Sequence, residues 1–371
     1  MEGPTKIGVY KVAMAAPNDV SGLAALIDSG EVDPGDVIAL IGKTEGNGGA
    51  NDFTRGYATL SYQLLLGKHL GMSPEKVGAR IAFVWSGGTE GVLSPHATVF
   101  TRSARPAGSG GGPHAGRLAL AVEATRDIAP EEVGTLTQIR EVAAAVRRCL
   151  QAAEIADPAD VHYVQVKGPL LTPASIADAD RRGVKLVTRD PNGSKVYARG
   201  ATALGVALGL GEVKESSVSG DVIGSRLDLF SSVASTSAGG ELRNCEVLLF
   251  GNSRAAVGDY RIGHAVLQDA IDADGVRKAI RNAGLAFEGA LSSDDARRVV
   301  GVFAKAEASP TIRGRRNTML SDADINYERH ARAAVGAVIA SITGDPAMFV
   351  SGGTEHQCAP GAAPIAAIVR V

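Results

Sequence analysis

Cysteine is scarce in this chain of 371 residues, which contains only Cys149, Cys245 and Cys358. Three cysteines so widely spaced form neither a disulfide framework nor the paired CxxC motifs of a zinc site. The seven histidines show no HExxH motif and no other paired metal spacing. Neither disulfide bonds nor a metal bound by histidine and cysteine is therefore expected.

An excess of charge and a long apolar run are also lacking. The net charge of −2 offers no electrostatic reason to expect nucleic acid or an anionic membrane as a partner. The longest apolar stretches, such as residues 203–211, are far shorter than a bilayer span, and the first residues lack the pattern of a signal peptide. With 45% hydrophobic residues, the composition predicts a globular, cytoplasmic α/β protein of two or three domains.

What the chain does contain is one loop sequence three times. Residues 84–91 (VWSGGTEG) and 349–356 (FVSGGTEH) share Ser-Gly-Gly-Thr-Glu, and residues 233–242 (VASTSAGGEL) are a degenerate copy. Each copy closes a short β-prone run, which indicates an internal repeat. The aligned serines are Ser86, Ser237 and Ser351, and the aligned glutamates are Glu90, Glu241 and Glu355.

The rest of each unit follows the same order. A β-prone run ends in a lysine, an arginine then opens an apolar-periodic helical segment, and the serine strand follows. Another helical pattern precedes each lysine strand, most weakly at residues 274–284. The three units predict pseudo-threefold packing in which these side chains face a shared axis. The lysines are Lys43, Lys167 and Lys305, and the arginines are Arg55, Arg199 and Arg329.

A glycine-rich stretch and the stretch around residues 251–260 mark the boundaries of the predicted units. The first unit covers residues 1–105, and the glycine-rich linker that follows it covers residues 106–114. The second unit covers residues 115–250, and the third covers residues 255–371.

Other motifs fit less well. A phosphate loop at residues 41–49 would need glycine where Val37 stands, and residues 208–211 lack the third glycine of a dinucleotide fingerprint. Residues 251–255 miss the final glycine of a nucleophile elbow. A single serine loop is most simply a glycine turn with a capping hydroxyl. The lysine and arginine that recur with each serine favour a functional role for the serine loops instead.

A serine beside a lysine can act as a nucleophile if the lysine is neutral enough to take its proton. Burial and neighbouring cations both lower a lysine pKa. Gly87, Ala238 and Gly352 follow the serines, and such small residues let backbone N–H groups approach an oxyanion. The planar guanidinium groups of the arginines add paired N–H donors for carbonyl oxygens. This donor set predicts a small, flat substrate with several carbonyls around a ring.

Six long motifs lie along the chain, at residues 41–58, 84–100, 161–172, 231–242, 251–259 and 351–364. In these motifs the chain resembles, essentially from end to end, the ring-opening amidohydrolases of the cyanuric acid hydrolase and barbiturase family. The resemblance implies an α/β fold of three repeats around a pseudo-threefold axis, with a central β core, helices outside, and one central active site. It also implies hydrolysis of a planar N-heterocycle without a catalytic metal, and a homotetramer.

Residue by residue, the resemblance makes Ser237 the nucleophile and Lys167 its base, with Lys43 and Lys305 as supporting cations. The implied substrate contacts are Arg55, Arg199 and Arg329 together with Ser86, Gly87, Ser237, Ala238, Ser351 and Gly352.

The resemblance further implies a structural Mg²⁺, or Ca²⁺, held by oxygen ligands. Cys358 and Ala359 depart from the glycine and proline that are more common at their positions. A ligand that is a backbone carbonyl oxygen is present whichever residue stands there. The implied ligands are Glu307, Thr354, Gln357, Cys358, Ala359 and Ala362.

Three functions remain open. The first is opening of cyanuric acid to carboxybiuret, which loses CO₂ to give biuret, and the second is opening of barbituric acid to ureidomalonate. The third is a non-catalytic protein that binds flat heterocycles, which would need the arginines but no reactive serine. Residues 325–328 are expected to face a ring edge and to bear on the choice of substrate.

The sequence also predicts which lysine is the base. Lys43 and Lys305 are each followed two residues later by a glutamate, Glu45 or Glu307, on the same side of an extended strand. Pro169 occupies the corresponding position after Lys167. Lys167 is therefore expected to have the lowest pKa of the three.

Overall fold

The computed structural model describes residues 4–104 and 116–371. Within them lie three four-stranded sheets of identical topology. In each sheet the order is first, fourth, second and third strand of the unit. The second and third strands are parallel and the other neighbours antiparallel. The expected threefold repetition of an α/β unit is therefore present in the fold.

The first unit forms the sheet β1-β4-β2-β3. Its elements are β1 (Thr5–Ala13), α1 (Ser21–Asp28), β2 (Val37–Thr44), α2 (Thr54–Leu70), α3 (Pro74–Arg80), β3 (Ala82–Gly87) and β4 (His96–Ala104).

The second unit forms the sheet β5-β8-β6-β7. Its elements are β5 (Arg117–Ala124), α4 (Leu136–Ala152), β6 (Val161–Pro169), α5 (Pro173–Arg182), α6 (Ser194–Leu210), β7 (Ala234–Gly239) and β8 (Glu246–Ser253).

The third unit forms the sheet β9-β14-β10-β13 and carries an additional small hairpin, β11-β12. Its elements are β9 (Tyr260–Leu267), α7 (Ala273–Asn282), α8 (Ser293–Arg298), β10 (Val299–Ala306), β11 (Thr311–Ile312), β12 (Arg315–Arg316), α9 (Tyr327–Thr343), β13 (Phe349–Gly352) and β14 (Ala363–Arg370).

One apolar core joins the inner faces of the three sheets. Phe100, Phe250 and Phe303 come from different sheets, and their ring centroids are 5.0 Å to 6.3 Å apart. Helices cover the outer faces and form separate cores with them. Each sheet is thus a middle layer between the common core and its own helices, which agrees with the expected central β core.

Strand alternation explains why the lysines face the axis. Successive side chains of a strand point to opposite faces of the sheet. In β2, Ile41 belongs to the common core and Leu40 to the outer core, so Lys43 shares the inner side with Ile41. In β10, Phe303 and Lys305 have the same relation.

The predicted linker, residues 106–114, lies outside the described residues. Strand β8 continues to Ser253, beyond the end expected for the second unit. Among residues 4–104 and 116–371, no helix combines the length and apolarity needed to cross a bilayer. The cytoplasmic location stays a prediction.

Candidate active site

Lysine and serine of each unit are neighbours across a parallel strand pair. They end adjacent inner strands, so their side chains emerge together at the same edge of the sheet. The register pairs Lys43 with Ser86, Lys167 with Ser237 and Lys305 with Ser351.

All three serines line one cavity of about 30 Å³ at the meeting point of the three units. The small residues that follow them, Gly87, Ala238 and Gly352, line it as well. Of the three lysines of the repeat, Lys167 is the one found among the described lining residues. The sequence thus identified the loops that surround this cavity.

The three lysine–serine pairs are not equivalent. Lys43 Nζ donates to Ser86 Oγ over 3.0 Å, and Lys305 Nζ donates to Ser351 Oγ over 3.1 Å. Ser237 Oγ is buried and has no hydrogen-bond partner among the described residues. The hydroxyl of the predicted nucleophile is therefore the unpaired one.

Each lysine also links its unit to the next. It donates to the backbone carbonyl just before the serine of a neighbouring unit, so the three lysines form a closed cycle of contacts. The bonds are Lys43 to Val350 at 2.7 Å, Lys305 to Thr236 at 2.8 Å and Lys167 to Trp85 at 3.4 Å.

Burial lowers the pKa of all three lysines. Burial and Arg332 hold the pKa of Lys43 well below its usual range, and burial with Arg199 lowers that of Lys305 to about 7. The pKa of Lys167 is also lowered by burial, but the Glu241 carboxylate opposes this effect.

The predicted ranking of the lysines is therefore wrong, because Lys167 does have a carboxylate partner. Glu241 Oε1 lies 3.1 Å from Lys167 Nζ. Strand β2 ends at Thr44, so Glu45 leaves the strand and is exposed instead of facing Lys43.

Two of the predicted arginines, Arg55 and Arg199, are buried and line the cavity. Arg329 is misassigned: its side chain is 47% exposed, whereas Arg332 is buried and lines the cavity. Arg199 and Arg332 are each the sixth residue of a 17-residue helix. Arg329 lies almost one turn nearer the helix N-terminus, outside the cavity. Aligning the helices by their final glycines, Gly211 and Gly344, would have identified Arg332 from sequence.

Each cavity arginine pairs with the glutamate four residues after the serine of another unit. Arg332 and Arg199 bind theirs through two guanidinium nitrogens, at 2.6 Å to 2.9 Å. These glutamates are aligned in the repeated loop sequence, which did not predict a role for them. The pairs are Arg55 with Glu241, Arg199 with Glu355 and Arg332 with Glu90.

Lys195 and Glu328 break the threefold symmetry of the cavity wall. Glu328 accepts a hydrogen bond from Arg199 over 3.0 Å, and its other oxygen lies 3.9 Å from Lys195 Nζ. Within the range 325–328, Glu328 lines the cavity while Ile325 is 46% exposed. One edge of the site therefore differs in charge from the others.

The predicted metal ligands lie in and beside a second cavity, of about 280 Å³, next to the first. Glu307, Thr354 and Cys358 line this cavity. Burial and the nearby Glu355 raise the pKa of Glu307 to about 7. A buried carboxylate beside a second one, Glu355, fits a hard cation that binds oxygen ligands.

The remaining predicted ligands form the turns of the C-terminal loop. Gln357 Oε1 accepts from the Thr236 N–H over 2.7 Å, which ties this loop to the strand of Ser237. Burial raises the pKa of the Cys358 thiol to about 12, so its backbone carbonyl is the usable donor. Ala359 accepts a loop hydrogen bond from Ala362. Among the described residues, no group of three or more His, Cys, Asp or Glu side chains is placed to hold a metal.

Known proteins are similar over nearly the whole chain. A cyclic amide hydrolase of Azorhizobium caulinodans is 70% identical over 98% of this chain and its own entire length. A cyanuric acid amidohydrolase of Bradyrhizobium diazoefficiens is 53% identical over 99% of both chains. A solved cyanuric acid hydrolase structure is 49% identical over 99% of this chain and 100% of its own, with a TM-score of 0.94. A barbiturase of Nocardioides is 45% identical over 99% of both chains.

Residues 8–370 match the family model described as amidohydrolase ring-opening protein. The match covers the three sheets and the cavity between them. The chain therefore belongs to the family of ring-opening amidohydrolases.

Proposed function

We propose that the protein opens the ring of cyanuric acid by hydrolysing one ring C–N bond, with Ser237 as nucleophile and Lys167 as base. The observation that carries this proposal is the donor set of the cavity. Three serine loops and three arginines surround one point, and cyanuric acid presents three identical carbonyls around one ring.

In the proposed reaction, Ser237 Oγ attacks a ring carbonyl carbon while Lys167 Nζ takes the hydroxyl proton. Backbone N–H groups of the serine loops and the arginines stabilise the oxyanion. The C–N bond then breaks, the ring nitrogen receives the proton from Lys167, and an acyl group remains on Ser237. Water attacks the acyl group and passes a proton to Lys167, which returns it to Ser237. The product carboxybiuret loses CO₂ to give biuret.

Two features support the choice of this serine–lysine pair over the other two. Lys167 lines the cavity together with Ser237. Ser86 and Ser351 already accept hydrogen bonds from their lysines, whereas the Ser237 hydroxyl is unpaired. Lys43 and Lys305 then serve to orient their serines as donors to substrate oxygens.

Barbituric acid is the second candidate substrate. It lacks one ring nitrogen of cyanuric acid, so it would suit a cavity with one different edge, and Lys195 and Glu328 provide such an edge. The relatives named for cyanuric acid share more of this sequence than the barbiturase does, which favours cyanuric acid.

The experiment is to incubate the purified protein with each compound and follow the loss of ring absorbance. We expect kcat/KM for cyanuric acid to exceed that for barbituric acid by at least about 100-fold, roughly 2.7 kcal/mol of transition-state stabilisation. The reverse preference would assign the barbituric acid reaction. Binding of either compound without turnover would favour a heterocycle-binding protein.

We also propose that Glu307 and carbonyls of the C-terminal loop hold Mg²⁺. The ion would supply positive charge against Glu307 and fix the loop. Within the chain, Gln357 then holds that loop against the strand of Ser237.

We further propose that the protein associates with copies of itself, as a tetramer in line with the family resemblance. An apolar stripe along α2 supports this proposal. Phe53, Tyr57, Leu60 and Leu64 recur at helical spacing and are 82%, 52%, 46% and 56% exposed. No charged residue lies between Gly56 and Gly67, so the stripe can pack against its own copy without repulsion between like charges.

A further inference from the structure

The pairing around Glu241 differs from the pairing around the two corresponding glutamates. Glu90 and Glu355 each hold their arginine through two nitrogens, at distances of 2.9 Å or less. Glu241 Oε1 instead lies 3.1 Å from Lys167 Nζ and 3.7 Å from Arg55 Nε.

This arrangement leaves two buried groups without a hydrogen-bond partner among the described residues. They are Arg55 Nε and Ser237 Oγ. A buried polar group left unpaired is costly, so native structures rarely keep one without a reason. Here both are atoms whose counterparts in the other two units are paired.

The other units provide the pairing that would satisfy both groups. There the glutamate binds its arginine, and the lysine donates to its serine. If Glu241 bound Arg55 in the same way, Arg55 Nε would gain an acceptor. Lys167 would be released toward Ser237, its neighbour in the strand register.

We propose that Glu241 is a positioning residue with two places: it holds the Lys167 amine away from Ser237 in the resting enzyme, and it moves onto Arg55 when a substrate binds, which frees Lys167 to act as the base. This inference rests on the proposed roles of Ser237 and Lys167. It adds a carboxylate that controls the proton affinity of the base.

The small size of the cavity favours side-chain movement when a substrate binds. A water molecule needs roughly 10–15 Å³ on the same measure, so about 30 Å³ has room for about two waters and not for a six-membered ring. Side chains that line the cavity must shift when a ring enters, and Lys167 and Arg55 are two of them.

The charges around Lys167 set the direction of the expected effect. Burial lowers the pKa of Lys167, Glu241 opposes this effect, Arg55 lowers the pKa further and Asp52 raises it. Glu246 of β8 lies opposite Lys167 in the strand register, and burial raises the pKa of that carboxyl to about 7. Although burial raises the pKa of Glu241, Lys167 and Arg55 lower it to about 2, so Glu241 carries a full negative charge near neutral pH.

The test is the pH dependence of kcat/KM in Glu241→Gln, with Glu90→Gln as the matched control. Removing the Glu241 charge lowers the pKa of Lys167, so more of the lysine is neutral at a given acidic pH. We expect the acidic limb of the profile to move to lower pH by about one unit or more in Glu241→Gln. In Glu90→Gln we expect kcat/KM to fall while the acidic limb keeps its position on the pH axis, because Glu90 pairs with Arg332.

A second readout separates this inference from the proposed function. The Nζ titration of Lys167, followed by nitrogen NMR in the Ser237→Ala background with and without Glu241→Gln, reports the pKa without turnover. An Nζ titration that Glu241→Gln leaves unchanged overturns the positioning role. A shifted Nζ titration with an unmoved acidic limb overturns Lys167 as the base instead.

Discussion

Ser86, Ser237 and Ser351 occupy the same place in three copies of one unit, yet one of them differs in its contacts. Two hydroxyls accept a hydrogen bond from the lysine beside them, and Ser237 does not. The repeated sequence does not reveal this difference, because the difference depends on the contact between the Glu241 side chain and Lys167. Symmetry of sequence therefore supports a symmetric binding site, and the Glu241–Lys167 ion pair is one of the contacts that break this symmetry.

The arginine pair on α9 offers a test at the scale of single residues. Arg332→Ala is expected to lower kcat/KM by about 100-fold or more, because the buried guanidinium lines the cavity and pairs with Glu90. Arg329→Ala should stay within about threefold, because its side chain is 47% exposed.

Removing Arg332 leaves Glu90 buried without its closest partner, which can destabilise the fold. Arg332→Lys keeps the charge and serves as the second variant, with thermal unfolding measured for all three proteins. Equal losses of kcat/KM in folded Arg329→Ala and Arg332→Lys would contradict the assignment of Arg332 to the site.

Sequence reasoning identified most of the site because the lysines, serines and small residues stand at fixed positions in strands. It failed where a side chain on a helix or loop decides the contact. Arg329 and Arg332 are both basic and less than one turn apart, so choosing between them needs the helix boundary. Glu241 reaches Lys167 from a loop far along the chain, and no local spacing reveals that contact.

At the scale of elements, the three units differ most in the helix that precedes the lysine strand. In the second unit α4 has 17 residues and packs along α6. In the first unit the corresponding helix, α1, has only 8 residues and contacts β1. Helix α2 packs instead against the short helix α3, and Phe53, Tyr57, Leu60 and Leu64 stay exposed.

If a second copy of the chain covers α2, a charge on this face should dissociate the assembly. Leu60→Glu and Leu64→Glu are expected to lower the molar mass measured by sedimentation, because each buries a carboxylate at a twofold contact. Ile271→Glu is the control, since Ile271 is 45% exposed in the turn before α7. An unchanged molar mass in the α2 variants would place the interface elsewhere.

The lysine strands, the serine strands and the helices around them could be predicted, because β-branched runs and apolar periodicity repeat three times. The first and fourth strands of each sheet were not predicted, nor were the short helices α3, α5 and α8 and the hairpin β11-β12. Beyond the shared Ser-Gly-Gly-Thr-Glu sequence, the loop that the implied metal would hold has no close copy in the other two units.

At the scale of the whole molecule, contacts between units converge on the cavity. The Arg–Glu pairs and the lysine–carbonyl bonds each run from one unit to another. The C-terminal loop adds a further connection, because His356 and Cys358 make backbone hydrogen bonds with Ser231 of the second unit. Loosening this loop should therefore affect both stability and the strand of Ser237.

Metal removal tests this connection. Mg²⁺ added after chelation is expected to raise the unfolding temperature by at least about 2 °C in the unaltered protein and by less than about 1 °C in Glu307→Gln. Ca²⁺ in place of Mg²⁺ identifies the preferred ion. A metal-dependent rise that survives in Glu307→Gln would show that Glu307 is not a ligand.

The most direct measurement of the central claim is to find the serine that carries the acyl group. The enzyme is mixed with cyanuric acid and the reaction is quenched within one turnover. The masses of the enzyme's peptides are then measured by mass spectrometry. Because opening the ring onto a hydroxyl expels no atoms, the modified peptide should be heavier by the whole mass of cyanuric acid. We predict this mass on Ser237, and no turnover in Ser237→Ala. An acyl group of this mass on Ser86 or Ser351, or continued turnover in Ser237→Ala, would contradict the account.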